Sequence, residues 1–413
     1  MEKPDPRASF RYPNFRFYLG FRVLSVLSSE MLAVAVAWQV YELTKQPLDL
    51  GLVGLAQFLP AFLLFPVAGH VADRVPRRSI LLACMGAYGA AALLLLLFTV
   101  RGITYVYPIY LVLILNGAAR AFSHPASAAL LPTLVPEQDF PNSVAWSSST
   151  FRTATILGPV AGGLLYGFTN SPIWVYAFCA FAYGASLLLV VGIRVKTVTR
   201  PRTASAATMA MEGFKYLWTN RLILGAISLD LFAVLLGGAT ALLPIYASDI
   251  LKVGATGLGI LRSAPGVGAV LTAVALAHHP LGRREGEIML WCVFGFGVFT
   301  VVFGLSHNVA LSLVALALTG ATDMVSVVVR STMVQLGTPD EMRGRVSAVN
   351  TVFIGASNEM GQFESGITAQ WFGTVPAVVL GGLGTIVVVA LWARLFPELR
   401  RAKEQQEPVA VTR

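Results

Sequence analysis

Along most of this chain apolar residues run on for about 20 positions at a time, with short polar punctuation and no strand-like alternation. A helix rising ~1.5 Å per residue needs a run of that length to cross ~30 Å of hydrocarbon. The runs predict twelve spans, at approximately 17–43, 49–71, 79–100, 105–123, 141–167, 172–193, 221–248, 256–277, 287–306, 309–335, 346–371 and 374–396. Pro, His and Arg interrupt the runs around 105–135 and 309–345. The apolar run after residues 1–16 is too long for a cleaved leader, and it reads as the first span. The fold class expected is an all-α membrane protein, its twelve transmembrane helices forming two pseudo-symmetric six-helix bundles.

Composition narrows the picture further. Of 413 residues, 56% are apolar and only 12% charged, which excludes a disordered chain and an ordinary soluble enzyme. Cys84, Cys179 and Cys292 each stand alone in apolar surroundings and read as small buried hydrophobes, so no disulfide or metal framework is expected.

The net charge of +9 has a location. Lys3, Arg7, Arg11 and Arg16 precede span 1, and Arg74, Arg77 and Arg78 follow span 2. Arg194, Lys196, Arg200, Arg202, Lys215 and Arg221 occupy the central loop. Arg283 and Arg284 follow span 8, Arg343 and Arg345 follow span 10, and Arg394, Arg400, Arg401, Lys403 and Arg413 end the chain. The opposite face has Lys45, Arg101 and Lys252. This asymmetry predicts cytoplasmic termini and a cytoplasmic central loop, and it suits anionic lipid headgroups better than nucleic acid.

The longest polar interval, 194–220, holds an expected short amphipathic helix from Met209 to Trp218. It divides the chain into a bundle at 1–193, a linker at 194–219, a second bundle at 220–396 and a tail at 397–413. The halves resemble each other at a shift of about 203 positions: Gly117 with Gly320, Ser123 with Ser326, Pro136 with Pro339, Glu137 with Asp340, Gly158 with Gly361 and Gly163 with Gly366. A parallel repeat of six spans is an architecture of secondary transporters.

Several stretches carry a family resemblance. Gly69-His70-Val71-Ala72-Asp73-Arg74-Val75-Pro76-Arg77-Arg78 resembles the G-x-x-x-D-R-x-x-R-R loop of the major facilitator superfamily. Gly158-Pro159-Val160-Ala161-Gly162-Gly163 is similar to the G-P-x-x-G-G motif of its exporters. Gln335, Thr338-Pro339-Asp340-Glu341, Arg343-Gly344-Arg345 and Gly355-Ala356-Ser357-Asn358-Glu359 resemble its enterobactin-exporter and macrolide-efflux branch. The second half departs from the loop pattern at His278-His279-Pro280-Leu281-Gly282-Arg283-Arg284, which lacks the acid, and Asn116 replaces the Arg usual before Gly117. Physically, Asp73 is placed to pair with Arg77, Arg78 or a neighbouring helix N-terminus, while the glycines of span 5 allow close helix approach.

Ionisable side chains in mid-span are costly, so they need a cavity or a partner. Arg22, Arg120, Arg152, Arg262 and Arg330 face a similar number of acids: Glu30, Asp230, Asp323, Glu359 and Glu364. Arg330 follows Asp323 by seven residues, two turns along one face. The resemblance implies that spans 1, 4, 7 and 10 line a central cavity, where Glu30, Arg120, Asp230 and Asp323 would meet, with Arg330 and Glu359 completing the substrate and proton site. Trp38, Phe122, Trp146 and Phe232 would be nearby aromatics. Glu30, Asp323 and Glu359 are the first candidates for proton exchange. Gly69, Asp73, Arg74, Arg77, Arg78, Gly158, Pro159, Gly162, Gly163, Arg343 and Arg345 are the expected gating motifs.

No Walker A sequence, catalytic motif or metal-ligand spacing is present in the sequence. The expectation is a non-enzymatic, cofactor-free monomer in a bacterial-type inner membrane. It would export amphipathic small molecules (drug, macrolide or siderophore type) against protons by rocker-switch alternating access. An importer or lipid flippase of the same fold, and a non-transporting membrane sensor, are the alternatives.

Overall fold

The computed structural model describes residues 5–194, 206–279 and 284–401. Among them are thirteen helices of 14 residues or more, and no strand. They are α1 (Pro13–Thr44), α2 (Pro47–Arg74), α3 (Arg77–Val100), α4 (Tyr107–Leu130), α5 (Phe140–Thr169) and α6 (Ile173–Gly192). After α7 (Ala206–Thr219) come α8 (Arg221–Gly237), α9 (Gly254–His278), α10 (Glu285–Leu305), α11 (Val309–Gly337), α12 (Asp340–Phe372) and α13 (Thr374–Leu395). Apart from α7, these are the twelve transmembrane helices that the hydrophobic runs predicted. Nine segments among the described residues are both long and apolar enough to cross a membrane. The other three, α4, α5 and α12, have 24, 30 and 33 residues, long enough to span but diluted by polar side chains.

Two boundaries differ from the sequence expectation. α4 continues through Pro125 to Leu130, seven residues beyond the predicted end at 123. One lost backbone donor does not end a helix that packs along both α2 and α3. The seventh span breaks after Gly237, and the chain continues through a 3₁₀ turn at Ala239–Leu242 and a π turn at Tyr246–Ile250. A Cβ at Gly237 would lie 2.6 Å from the Phe296 ring, so α10 sits hard against the break.

The chain forms two compact units: residues 1–207 with 241–263, and 208–240 with 264–413. In the first unit α1 packs on α5 and α6, α3 on α4 and α6, and α2 on α4. The second repeats the pattern: α8 packs on α12 and α13, and α10 on α11 and α13. The repeated glycines show why. Gly117 of α4 abuts the backbone of Gln57 in α2, and Gly320 of α11 abuts the backbone of Pro265 in α9. Gly158 of α5 meets Glu30 of α1, while Gly361 of α12 meets the carbonyls of Val234 and Leu235 in α8. Small residues recur where two helix backbones must approach. Apolar side chains fill the remainder; Leu229, Met289, Val329 and Val389 are among those in one core of the second unit.

Candidate functional site

In the second unit, a charged pair joins α8 to α11. Asp230 (6% exposed) forms an ion pair with Arg330 (2% exposed). The Arg330 Nε is buried with no hydrogen-bond partner among the described residues. Glu359 of α12, 7% exposed, accepts a hydrogen bond from Gln362 Nε2 at 3.4 Å. α12, which carries Glu359, packs on α8, which carries Asp230. Asp323 is half-buried two turns before Arg330. The same-face spacing of Asp323 and Arg330 holds along α11, but the ion-pair partner of Arg330 comes from α8. Glu364 accepts from the Thr368 hydroxyl at 2.8 Å.

In the first unit, Glu30 of α1 is half-buried against α5. A Cβ on Gly158 would lie 2.5 Å from Glu30 Cβ, and one on Gly162 would lie 2.8 Å from Met31 Cα. One on Gly163 would lie 2.7 Å from the Ala255 carbonyl oxygen and 2.8 Å from Gly259 Cα. The G-P-x-x-G-G stretch, with Pro159 buried inside α5, thus forms a single close seam with α1 and the first turns of α9. Arg22 donates from Nη1 to Ser127 Oγ at 3.2 Å and lies 5.3 Å from the centre of the Phe151 ring. Tyr18 shares Ser127. Arg120 is exposed, and His124 and Ser127 follow on its face of α4 at spacings of four and seven. Arg152 is exposed and Arg262 half-buried.

The loop motif behaves as a pair of helix caps. Gly69 and Asp73 occupy the last turns of α2; the Asp73 side chain lies outside the described residues. Arg74 is exposed. Arg77 Nη1 donates to the Ala129 carbonyl at the end of α4 (2.8 Å). Arg78 donates to the carbonyls of Val190 and Val191 at the end of α6 (3.2 and 2.7 Å). Orphan C-terminal carbonyls and the negative end of the helix dipole both favour a guanidinium there. In the second half, Arg343 Nε donates to the Gln335 carbonyl and Arg345 pairs with Glu212 of α7 at 2.5 Å. Residues 280–283 of the departing second loop lie outside the described residues.

Sequence reasoning missed a polar cluster at the other end of α1. Glu42 accepts from Trp38 Nε1 (2.6 Å) and from the Tyr166 hydroxyl (2.8 Å). Tyr41 donates its hydroxyl to Asp249, and Lys45 lies 4.7 Å from the Tyr41 ring centre. The spacing of Trp38 and Glu42, four apart in a helix, was the available signal. Trp146 and Phe232 are committed locally: Trp146 donates to the Pro6 carbonyl, and Phe232 packs on Trp392. Phe122 lines an apolar hollow of about 350 Å³ with residues of α2 and α3. Among the described residues no group of His, Cys, Asp and Glu could hold a metal ion.

Comparison with known proteins places this architecture. The family model described as transmembrane secretion effector matches residues 5–411. Enterobactin exporter EntS of Shigella boydii serotype 18 is 27% identical over 402 residues, covering 97% of this chain and 95% of the relative. The exporter EntS of Escherichia coli O139:H28 gives the same identity and coverage. Among solved structures, a POT family transporter in complex with 5-aminolevulinic acid aligns at TM-score 0.73 and 9% identity, covering 94% of this chain and 97% of its own. The D-xylose-proton symporter aligns at TM-score 0.66 and 14% identity, covering 94% and 97%. At such identities the structural likeness speaks for the fold, while the family match spans nearly the whole sequence. The chain therefore belongs to the transmembrane secretion effector family of major facilitator transporters.

Proposed function

We propose that this transporter exports amphipathic small molecules of the drug, macrolide or siderophore type from a bacterial cytoplasm, in exchange for protons. It works as a monomer in the inner membrane with both termini in the cytoplasm, exposing its binding groups alternately to the two sides. The domains that carry this motion are the bundles at 1–193 and 220–396, joined by the 194–219 linker. The observation that carries the reading is the Asp230–Arg330 ion pair, buried among the spans of a chain that aligns over 97% of its length with exporters, with Glu359 buried on neighbouring α12. An Asp–Arg pair in a low-dielectric setting is held together strongly, and a proton on the carboxylate dissolves it. A substrate group that takes the place of Arg330 on the Asp230 carboxylate keeps the proton off, and a proton on that carboxylate keeps the substrate off, which is the mutual exclusion an antiporter needs. Glu30, Arg120 and Asp323 are the further members of the substrate and proton site. Each proton crossing one pH unit supplies ~1.4 kcal/mol, enough for about a tenfold substrate gradient.

The test is transport in proteoliposomes with an imposed pH gradient, using a catechol siderophore, a macrolide and a cationic dye. Substrate movement opposite to protons, lost in Asp230→Asn and Glu30→Gln while the variants remain folded, supports the reading. Gradient-independent transport, or full coupling in both variants and in Asp323→Asn and Glu359→Gln, overturns it.

A further inference from the structure

Helix α7 has two sides of different fate. Gly213, Tyr216 and Leu217 face the second unit. A Cβ on Gly213 would lie 2.6 Å from the Arg345 carbonyl oxygen, and the Tyr216 hydroxyl donates to the Gly337 carbonyl. Leu217, 1% exposed, sits in a cluster with Ile223, Ile227, Val334, Val346 and Val349. Glu212, at the flank, holds Arg345.

The opposite side is apolar too. At 100° per residue, Met211, Phe214, Lys215 and Trp218 fall within about 100° of arc, centred roughly opposite Gly213, Tyr216 and Leu217. Met211 is 69% exposed and Trp218 67% exposed, and Phe214 packs only in part, on Phe353 and Trp218. A helix in water does not gain by showing Met and Trp on the face it leaves undocked. The position of α7 explains the pattern. One residue, Asn220, joins it to membrane span α8 and caps that span by accepting from the Ile223 N–H. Chain connectivity therefore keeps α7 at the membrane surface. Around α7 Glu212 pairs with Arg345 and Arg221 with Glu398, while Lys215 stands on the apolar face itself; in the sequence, residues 194–221 hold six Lys and Arg to one acid.

We propose that the Met211–Phe214–Trp218 face of α7 inserts into the headgroup region of the bilayer and that Lys215 selects anionic phospholipid there. Trp and Phe at an interface with a snorkelling Lys are the chemistry of an in-plane amphipathic helix. The docked side ties this contact to Arg345 and to the ends of α11 and α12.

The experiment places a fluorophore at Met211→Cys in the full chain, with Cys84, Cys179 and Cys292 replaced, in nanodiscs of phosphatidylethanolamine with or without phosphatidylglycerol. Quenching mainly by lipid-borne nitroxide, weakly by iodide, and more deeply with phosphatidylglycerol present is the expected result. Lys215→Glu is expected to remove the phosphatidylglycerol dependence. Free quenching by iodide, or protection from both quenchers as a bound protein would give, overturns the proposal. If the cysteine-free chain fails to fold, the emission difference between the unaltered chain and Trp218→Phe serves instead: a blue-shifted Trp218 component quenched by lipid nitroxide supports it, and a water-like component refutes it.

Discussion

Removing either partner of the Asp230–Arg330 pair leaves a different charge behind, and the two should be distinguishable by pH. In Asp230→Asn the guanidinium remains buried and cannot lose its proton at any working pH. Breaking a buried pair this way costs about 3–5 kcal/mol, and the cation left behind adds no pH dependence of its own between pH 5.5 and pH 7.5. In Arg330→Met the carboxylate is left, and it escapes by taking up a proton. For a carboxyl of ordinary acidity that costs ~1.36 kcal/mol per pH unit, about 4 kcal/mol at pH 7. The folded variant then binds a proton that the unfolded chain does not, so its stability rises as pH falls. Between pH 7.5 and pH 5.5 the deficit shrinks by up to about 2.7 kcal/mol. The double variant, with neither charge, is expected to lie closer to the unaltered protein than either single one. Unfolding can be followed in detergent with a fluorogenic thiol dye, because Cys84 and Cys179 are buried in the folded state. A pH-independent Arg330→Met deficit, or a double variant worse than both singles, would refute the reasoning.

Other perturbations test other parts. Gly320→Ala drives a methyl into the Pro265 backbone and is expected to lose about 1–3 kcal/mol in the same assay, whereas Gly355→Ala, with nothing within 4 Å, gains about 0.5–1 kcal/mol from helix propensity. Arg77→Ala and Arg78→Ala each uncap a helix end, at about 0.5–1.5 kcal/mol per lost hydrogen bond. Trp146→Phe removes the bond to the Pro6 carbonyl, so trypsin should cut at Arg7 and Arg11 sooner, with unchanged cleavage counting against the contact.

How much of this could be read beforehand depends on how far each interaction reaches. The spans were legible because a hydrophobic run is a local signal, and even α12, whose apolar character is weak, began only six residues before its predicted start. The Gly repeat was legible as spacing, although its cause, a backbone pressed against each glycine, was not. The partner of Arg330 was out of reach: helical period places Asp323 on its face, but Asp230 stands 100 residues away and meets it through the register of α8 on α11. Arg77 and Arg78 also reach the main-chain carbonyls of Ala129, Val190 and Val191, which no residue identity reveals. Glu42 was passed over because its partners, Trp38 and Tyr166, are aromatic donors and not charges.

The repeat extends to the polar joints, and there it also diverges. A shift of 203 carries Ser127 onto Arg330. In the first unit Ser127 of α4 is gripped by Arg22 of α1; in the second, Arg330 of α11 is gripped by Asp230 of α8. Both bundles thus fasten their first helix to their fourth by a polar contact from the same position of the fourth helix, but with the chemistry exchanged: a cation reaching for a neutral hydroxyl in one, a full ion pair in the other. Packing tolerates no such exchange, which is why the glycines coincide while the charges do not. A hydroxyl–guanidinium joint contains no carboxylate for a proton to neutralise, whereas an aspartate–guanidinium joint does. Duplication supplied two equivalent fasteners, and only the second is built from a group that a proton can release. If transport is coupled to protons as proposed, Ser127→Ala should leave its pH dependence unaltered where Asp230→Asn removes it.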